Sequence, residues 1–315
     1  MKSLSDAALE RLRKTIDRPR AGDRYVVHEL LGRGGMGAVY RAYDVVLGRD
    51  VALKVLASEA EAPSVAARMA REAKVLARLE HPGIVAVHDA GMLDDGRPFY
   101  VMRLVRGRQL YDYASAAGRG ELLRVFIRIC DAVAYAHARH VIHRDLTPAN
   151  VMVGEFGEVL VLDWGVAKVA GDAGTPTSET IGRPGTTGEG VVLGTPGFMA
   201  PEQAAGAAAA ADGRADVYGL GAILRFLVGA AGAAVPRPLA AIIGRATAAS
   251  PDARYAAVAD LAEDVRHWLD GEQIAAYREN ALERAARLYR RNQALILLLL
   301  AYAVVRVTIL LWRGV

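Results

Sequence analysis

A glycine-rich run near the N-terminus constrains the fold more than any other feature of this sequence. It reads Leu31-Gly-Arg-Gly-Gly-Met-Gly-Ala-Val39 and fits the pattern G-x-G-x-x-G-x-V. Glycines permit a tight turn whose backbone amides can approach phosphate oxygens. A dinucleotide-binding fold would place a helix after such a run, with an acidic residue about 20 positions further on. Here residues 38–43 and 51–55 are instead predicted to be strands, which excludes that fold and leaves a phosphate loop between strands.

Lys54 lies among the aliphatic residues of the second of these strands, and it is one of only five lysines in the chain. A charged group in such a strand needs a partner. Glu72, on a helix predicted over residues 64–80, is the candidate partner. The alternative is a strand lysine whose ammonium group reaches solvent without a functional role.

Two further motifs follow a helix predicted over residues 120–139. The first is His143-Arg-Asp-Leu-Thr-Pro-Ala-Asn150, and the second is Asp163-Trp-Gly165, which begins 18 residues after Asp145. Phosphoryl transfer requires a carboxylate that accepts or orients the hydroxyl proton, and an amide and a second carboxylate that hold Mg²⁺ against the phosphates. Any one of these residues could simply form a turn. The four motifs in this order and spacing together indicate phosphoryl transfer.

From Tyr25 to Gly271 the sequence resembles the eukaryotic-type (Hanks-type) serine/threonine protein kinases of bacteria. The segment 194–202, GTPGFMAPE, resembles the end of an activation segment, and 216–221, DVYGLG, resembles the helix that buries an aspartate beneath the catalytic loop. Arg254 resembles the arginine that pairs with the glutamate of the Ala-Pro-Glu sequence, here Glu202. The resemblance implies an α+β, bilobal protein kinase fold, with a small β-rich N-lobe over residues 25–104 and a larger helical C-lobe over residues 106–271.

The resemblance also implies roles for individual residues. Lys54 would hold the α- and β-phosphates of ATP and pair with Glu72. Asp145 would be the catalytic base, and Thr147 would lie beside the transferred phosphate. Asn150 and Asp163 would bind Mg²⁺, for which Mn²⁺ could substitute. The residues implied in ATP binding are Leu31, Gly32, Gly34, Gly37, Val39, Ala52, Lys54, Met102 (the gatekeeper), Val105 (whose backbone would bond adenine), Asn150 and Asp163.

Three departures from the family pattern concern activity and substrate choice. Thr147 replaces the usual lysine and removes a positive charge near the developing phosphate charge, which predicts low activity. Trp164 replaces the usual phenylalanine, an apolar exchange that we expect to be harmless. Residues 229–238 are short where the family has a substrate-docking helix, so substrate choice is expected to depend on co-localisation.

The long loop over residues 170–196 carries the candidate phosphorylation sites. These are Thr175, Thr177, Ser178, Thr180, Thr186 and Thr187, whereas Thr195 is expected to be structural. Related kinases carry two phosphothreonines near positions 187 and 189, and the second position here is Glu189. One hypothesis is that Glu189 supplies part of the negative charge, and the alternative is an ordinary solvated glutamate.

Residues 294–312 read ALILLLLAYAVVRVTILLW, with Arg306 as the one charge. A helix of this length would be ~28 Å long, close to the roughly 30 Å of a bilayer core. The arginines over residues 284–291 favour a cytoplasmic body. The sequence thus predicts a single-pass transmembrane helix in the inner (plasma) membrane, after an N-terminal helix and linker (1–24), the kinase domain (25–271) and a basic juxtamembrane segment (272–293). A buried or interfacial amphipathic helix is the alternative.

Charge and composition limit the function classes further. The first 24 residues carry a net charge of +3 and residues 272–315 carry +4, so the body is slightly acidic, which argues against nucleic-acid binding. The single cysteine, Cys130, excludes a disulfide framework. The expected function is ATP-dependent phosphorylation of protein Ser/Thr hydroxyls, including the chain's own activation loop, in membrane-associated signalling. Expected partners are protein substrates and a second copy of the chain. The alternatives are a nucleotide-binding pseudokinase that acts as a scaffold or switch, and a small-molecule kinase.

Overall fold

The N-terminal part of the chain folds into an antiparallel sheet of five strands. A computed structural model describes residues 19–34, 37–55, 63–164, 168–169, 197–205, 212–232, 234–291 and 293–313. The strands are β1 (Tyr25–Gly34), β2 (Gly37–Asp44), β3 (Arg49–Val55), β4 (Val87–Met92) and β5 (Pro98–Arg103), in the spatial order β1-β2-β3-β5-β4. Helix α1 (Pro63–Leu76) follows β3 in the sequence and packs against β4 and β5. This sheet and helix form the N-terminal lobe.

The C-terminal lobe is built mainly from helices around α3 (Arg119–His137). The other helices of this lobe are α2 (Leu110–Ala114), α4 (Pro201–Ala204), α5 (Arg214–Ala230), α6 (Arg237–Ala246) and α7 (Val258–Leu269). Apolar residues recur along α3 at helical spacing and are fully buried against α5 and α7. Short 3₁₀ helices cover Pro148–Asn150 and Pro251–Ala253.

Two small sheets lie at the boundary between the lobes and carry the loops of the candidate site. β6 (Gly107–Gln109), β8 (Val151–Gly154) and β9 (Val159–Val161) pair in the order β6-β8-β9, and β7 (Val141–Ile142) pairs with β10 (Lys168–Val169). The backbone N–H of Val161 donates to the carbonyl of Gly83 at 2.9 Å, which ties β9 to the segment that leads into β4. The larger core continues from α1 through α3 to α5, so the two lobes share buried apolar contacts.

The predicted bilobal arrangement is confirmed, with small shifts at the ends of elements. The helix predicted over residues 64–80 ends at Leu76, and the last of its residues form a turn before His81-Pro82. The predicted helices over 120–139, 215–228, 239–248 and 256–270 correspond to α3, α5, α6 and α7. The N-terminal helix predicted over residues 3–17 and the activation loop over 170–196 lie outside the described residues.

The predicted membrane span is not supported. The C-terminal residues form α8 (Ala281–Arg291) and α9 (Gln293–Arg313). Within the part of the chain that the structure describes, no helix has both the length and the apolar character needed to cross a bilayer. Arg306 and Thr308 interrupt the apolar run of α9, and the Thr308 hydroxyl bonds to the carbonyl of Val304. The residues expected to form a transmembrane helix, 294–312, are helical, but the membrane-spanning part of that prediction is not supported.

Candidate active site

The described residues of the glycine-rich run, 31–34 and 37–39, lie at the end of the first strand and the start of the second. Gly34 on β1 pairs with Gly37 on β2, and Gly37 has a φ of 149°, a conformation that L side chains rarely adopt. A Cβ at Gly32 would meet no atom within 4 Å, so this backbone borders open space. Val39 pairs with Lys54 across β2 and β3. The register therefore places the candidate phosphate loop beside the candidate phosphate-binding lysine.

Lys54 forms a buried ion cluster with two carboxylates. Its Nζ lies 2.9 and 3.0 Å from the two carboxylate oxygens of Glu72 and 3.2 Å from Oδ1 of Asp163. Lys54 is 8% exposed and Glu72 is 2% exposed. The cluster brings β3, α1 and the segment after β9 to one point, and Lys54 therefore has the partner that its strand environment required.

The charges in this cluster shift the acid–base equilibria of all three groups. Burial works to lower the pKa of Lys54, but the two carboxylates hold it above its ordinary value. Burial likewise works to raise the pKa of Asp163, but Lys54 holds it below its ordinary value. Burial raises the pKa of the more enclosed Glu72, and the negative charge of Asp163 adds to this effect, while Lys54 opposes it. Lys54 is thus fully protonated at neutral pH and Asp163 fully ionised.

The catalytic-loop motif lies between β7 and β8 and is held by one buried carboxylate. Asp216 accepts backbone hydrogen bonds from His143 at 2.8 Å and from Arg144 at 2.7 Å. Its Oδ2 also lies 2.7 Å from Nε2 of His137 on α3. Burial alone would raise the pKa of Asp216, but the bond to His137 helps to hold it below its ordinary value. The sequence-based expectation of an aspartate buried under this loop is confirmed.

Asp145 and Asn150 are brought together by this loop. The Nδ2 of Asn150 donates to the backbone carbonyl of Asp145 at 2.8 Å and to its carboxylate Oδ2 at 3.3 Å. The backbone N–H of Leu162 donates to the Asn150 carbonyl at 2.8 Å, which joins the loop to the strand that precedes Asp163. One carboxylate, one amide and a second carboxylate therefore lie along two adjacent backbone segments.

The donor set at Asn150 and Asp163 fits a small divalent cation. The side-chain nitrogen of Asn150 donates to Asp145, so the side-chain oxygen of Asn150 remains as the ligand atom. The Asp163 side chain is 41% exposed. Two oxygen donors beside phosphate oxygens are the ligands that Mg²⁺ prefers. Among the described residues, no group of three His, Cys, Asp or Glu side chains could hold a metal by itself.

The remaining candidate residues lie around the same cleft. Ala52 on β3 pairs with Met102 on β5, and both Met102 and Val105 are half-buried against the larger core. Leu31, at the end of the glycine-rich strand, is 49% exposed. Thr147 is 8% exposed, and it lies beside a small cavity that Asp145, Phe198 and other side chains line.

Three residues of the site were missed by the sequence analysis. The hydroxyl of Tyr100 donates to Glu72 at 2.9 Å, His137 supports Asp216, and Gln203 donates to the Arg144 carbonyl at 2.9 Å. Strand alternation could have suggested Tyr100, since it lies two residues from Met102 on β5 and pairs with Lys54. No local pattern marks His137 or Gln203, because both act on partners more than 50 residues away.

The predicted pair between Glu202 and Arg254 is confirmed. The guanidinium group of Arg254 donates to both carboxylate oxygens of Glu202, at 2.7 and 2.8 Å. This pair links α4 to the segment that precedes α7. The connection between α5 and α6 is short, as expected, because α5 ends at Ala230 and α6 begins at Arg237.

Residues 25–231 match a family model described as the protein kinase domain. The probable serine/threonine-protein kinase SCO3848 of Streptomyces coelicolor is 36% identical over 291 residues, covering 82% of this chain and 42% of that protein. The serine/threonine-protein kinase PknB of Mycolicibacterium smegmatis is 34% identical, covering 79% of this chain and 44% of that protein. This chain thus spans less than half the length of these relatives. The crystal structure of the Mycobacterium tuberculosis PknI kinase domain superposes with a TM-score of 0.57 at 29% identity, covering 78% of this chain and 96% of that one.

Proposed function

Because the chain belongs to the protein kinase family, we propose that it transfers the γ-phosphoryl group of ATP to serine and threonine hydroxyls of proteins. The observation that carries the proposal is the ion cluster of Lys54, Glu72 and Asp163 beside the paired Asp145 and Asn150. Two separate parts of the chain, more than 100 residues apart in sequence, meet there with the charges that phosphoryl transfer requires. The curated relatives reported above are named as serine/threonine-protein kinases, which supports the hydroxyl acceptor.

Lys54 holds the phosphates in this proposal. Its ammonium group is kept charged by Glu72 and Asp163, and Glu72 is itself fixed by the hydroxyl of Tyr100. The position of the lysine is thus set before nucleotide arrives, and an ordered cation stabilises developing phosphate charge with little reorganisation. The backbone of Gly32 and Gly37 covers the phosphates, and Ala52, Met102 and Val105 contact the adenine.

Asp145 receives the acceptor hydroxyl in this proposal. Its carboxylate orients the hydroxyl and takes its proton as the new oxygen–phosphorus bond forms, while the bond from the γ-phosphorus to the bridging oxygen breaks and ADP leaves. The amide of Asn150 donates to the same carboxylate and fixes its direction. Asn150 and Asp163 would together hold Mg²⁺, which neutralises charge on the phosphate oxygens when it is bound.

Thr147 is the position at which this site departs from the family. Its hydroxyl can donate a hydrogen bond to the transferred phosphate, but it brings no positive charge. We therefore expect slower turnover than a lysine at this position would give. The pseudokinase alternative is not favoured, because Lys54, Glu72, Asp145, Asn150 and Asp163 are all present and placed together.

Autophosphorylation of the activation loop is part of the proposal. The supporting observation is the sequence of the loop, in which Thr187 and several neighbours offer hydroxyl groups. Glu189 is proposed to supply part of the negative charge that a second phosphothreonine would give. Thr187→Ala should then retain part of the activity, and its complete loss would contradict the role of Glu189.

The decisive experiment compares the wild type with Asp145→Asn, using ATP labelled on the γ-phosphoryl group and a protein acceptor. We expect incorporation on serine and threonine by the wild type and a loss of roughly 100-fold or more in the variant. Asp112→Asn, an exposed aspartate on α2, is the matched control and should remain active. A wild type that binds ATP but transfers no label would instead support the scaffold.

A further inference from the structure

Trp164 does more in the structure than fill the space of the phenylalanine that it replaces. Its side chain is 1% exposed, and its indole N–H donates to the backbone carbonyl of Val161 at 3.3 Å. The indole also packs against the ring of His143, with the ring centroids 4.6 Å apart. Because phenylalanine has no donor, the bond to Val161 is specific to this tryptophan.

We propose that Trp164 is a positioning residue for Asp163, acting through the hydrogen bond from its indole N–H to the Val161 carbonyl. The inference rests on the proposed function, because it concerns the position of the Asp163 carboxylate, which is proposed above to bind Mg²⁺. It replaces the sequence-based expectation that the tryptophan is merely a harmless apolar exchange.

Asp163 needs such support because its backbone is strained. Its φ of 56° lies in the left-handed region, which residues other than glycine adopt rarely, although aspartate adopts it more readily than most. A residue held there persists only where its surroundings determine the conformation. Without support, the turn from Val161 to Trp164 would populate other conformations, in which the carboxylate leaves Lys54.

Besides the Lys54 ion pair and the bond from the Val161 N–H to Gly83, three further contacts among the described residues hold this turn. The N–H of Leu162 donates to the carbonyl of Asn150 at 2.8 Å, and the carbonyl of Leu162 lies 3.0 Å from Nε2 of His143. The third contact is the Trp164 bond to Val161, which closes the turn around Asp163 itself. His143 takes part twice, since the ring that bonds to Leu162 also packs on the indole.

The closed turn determines where the Asp163 carboxylate lies. Its Oδ1 lies 3.2 Å from Nζ of Lys54, and its side chain is 41% exposed. A neutral hydrogen bond of this kind changes a conformational equilibrium by about twofold to tenfold. Its removal shifts the equilibrium away from the arrangement in which Asp163 can bind a cation by this factor, and the apparent dissociation constant rises by at most the same factor.

The test uses the full chain and two replacements of Trp164. Trp164→Phe keeps an aromatic ring but removes the donor. Incorporation of benzothienylalanine at position 164 keeps the shape of the indole and replaces only its N–H by sulfur, so it guards against a packing defect in the first variant. Trp268→Phe, at a half-buried tryptophan on α7, is the matched control. Dissociation constants for a fluorescent ATP analogue are measured with Mg²⁺ and with EDTA, beside thermal unfolding.

We expect both replacements to weaken binding in the presence of Mg²⁺ by more than the experimental error and by up to about tenfold. Binding in EDTA, and binding by the control variant in either condition, should equal that of the wild type within the same error. Equal affinities for wild type and variants in Mg²⁺ would overturn the inference. An equal loss with Mg²⁺ and with EDTA would also overturn it, because that result shows a purely structural role. Phosphoryl transfer by the wild type is measured separately, so an inactive wild type would count against the proposed function rather than against Trp164.

Discussion

At the scale of single residues, the site depends on paired charges, of which Lys54 and Glu72 are buried. Lys54 satisfies both Glu72 and Asp163, and the hydroxyl of Tyr100 supplies a further donor to Glu72. A buried charge without such partners would cost more free energy than the fold could recover from packing. The need for a partner was visible in the sequence at Lys54, but the contribution of Tyr100 was not. Tyr100 lies beside Lys54 because of the register in which β3 pairs with β5, and that register could not be read from the sequence.

Asp216 provides a prediction at this scale. Asp216→Asn keeps the shape but places an amide nitrogen against backbone N–H groups, so we expect the free energy of unfolding to fall by roughly 2–3 kcal/mol at pH 7. The folded-state pKa of Asp216 lies below its ordinary value of about 3.9, so its charge stabilises the fold above that pH. This contribution is lost as the pH falls through the folded-state pKa. The difference between wild type and variant should therefore be constant from pH 7 to 5 and shrink below about pH 4.

Urea unfolding at several pH values measures this difference. Asp131→Asn, at an exposed aspartate paired with Arg266, is the control and should change the free energy by less than about 1 kcal/mol. An Asp216→Asn variant as stable as the wild type at pH 7 would show that the three bonds to Asp216 do not hold the loop.

At the scale of elements, the C-terminal lobe is held together by ties between segments that are distant in sequence. Arg254 is 3% exposed, and it donates to Glu202 and to the backbone carbonyls of Arg214, Ala248 and Ala249. The hydrogen bond from Arg254 holds the pKa of Glu202 below its ordinary value. One guanidinium group thereby fixes α4, the start of α5 and the segment before α7.

Removal of Arg254 should be costly for this reason. Arg254→Met leaves the Glu202 carboxylate and three carbonyls without their donor, and we expect a loss of about 3–5 kcal/mol in the free energy of unfolding. The control is Asp252→Asn, two residues away, whose partner Arg214 meets it at the surface. That exposed pair should contribute about 1 kcal/mol or less. If the two variants unfold in urea with similar free energies, Arg254 does not hold these three segments together.

The sequence predicted the elements well but not all of their connections. Periodic apolar residues determine α3, α5, α6 and α7, so these helices were predicted to within about three residues. The motifs placed Lys54, Glu72, Asp145, Asn150 and Asp163 in one site, because each motif is local and its residue types are dictated by the chemistry. His137, Gln203 and the N–H of Trp164 act through tertiary contacts that no local pattern contains. The run at residues 294–312 was assigned to a membrane from its length, its apolar character and the arginines before it, and the structure does not support that assignment.

At the scale of the whole molecule, the C-terminal lobe continues beyond the boundary at Gly271 that the sequence suggested. Ile274 is 5% exposed and belongs to the larger core. The buried carboxylate of Asp264 accepts backbone hydrogen bonds from Ala275 at 2.7 Å and from Ala276 at 3.0 Å. The same carboxylate accepts the hydroxyl of Tyr255 at 2.8 Å, so the segment after α7 is attached to the lobe.

Two truncations test where the folded unit ends. A chain that stops at Gly271 loses the burial of Ile274 and two donors to Asp264, and we expect its free energy of unfolding to fall by about 3–5 kcal/mol. A chain that stops at Asn280 keeps these contacts and should lie within about 1 kcal/mol of the full chain. Thermal and urea unfolding compare the three proteins. Equal stability of the two truncated chains would show that residues 272–280 add nothing to the lobe.

The central claim is that Lys54 in one lobe, which holds the phosphates of ATP, and Asp145 in the other, which takes the proton of the acceptor hydroxyl, act in the same phosphoryl transfer. The most direct measurement is the single-turnover rate of γ-phosphoryl transfer from Mg²⁺·ATP to a protein serine, for the wild type, Lys54→Met, Asp145→Asn and the double variant. We predict a loss of about 100-fold or more in each single variant, and a double variant about as slow as the slower single one, because residues that act as a unit are not additive. Transfer at the wild-type rate by either single variant would contradict the account.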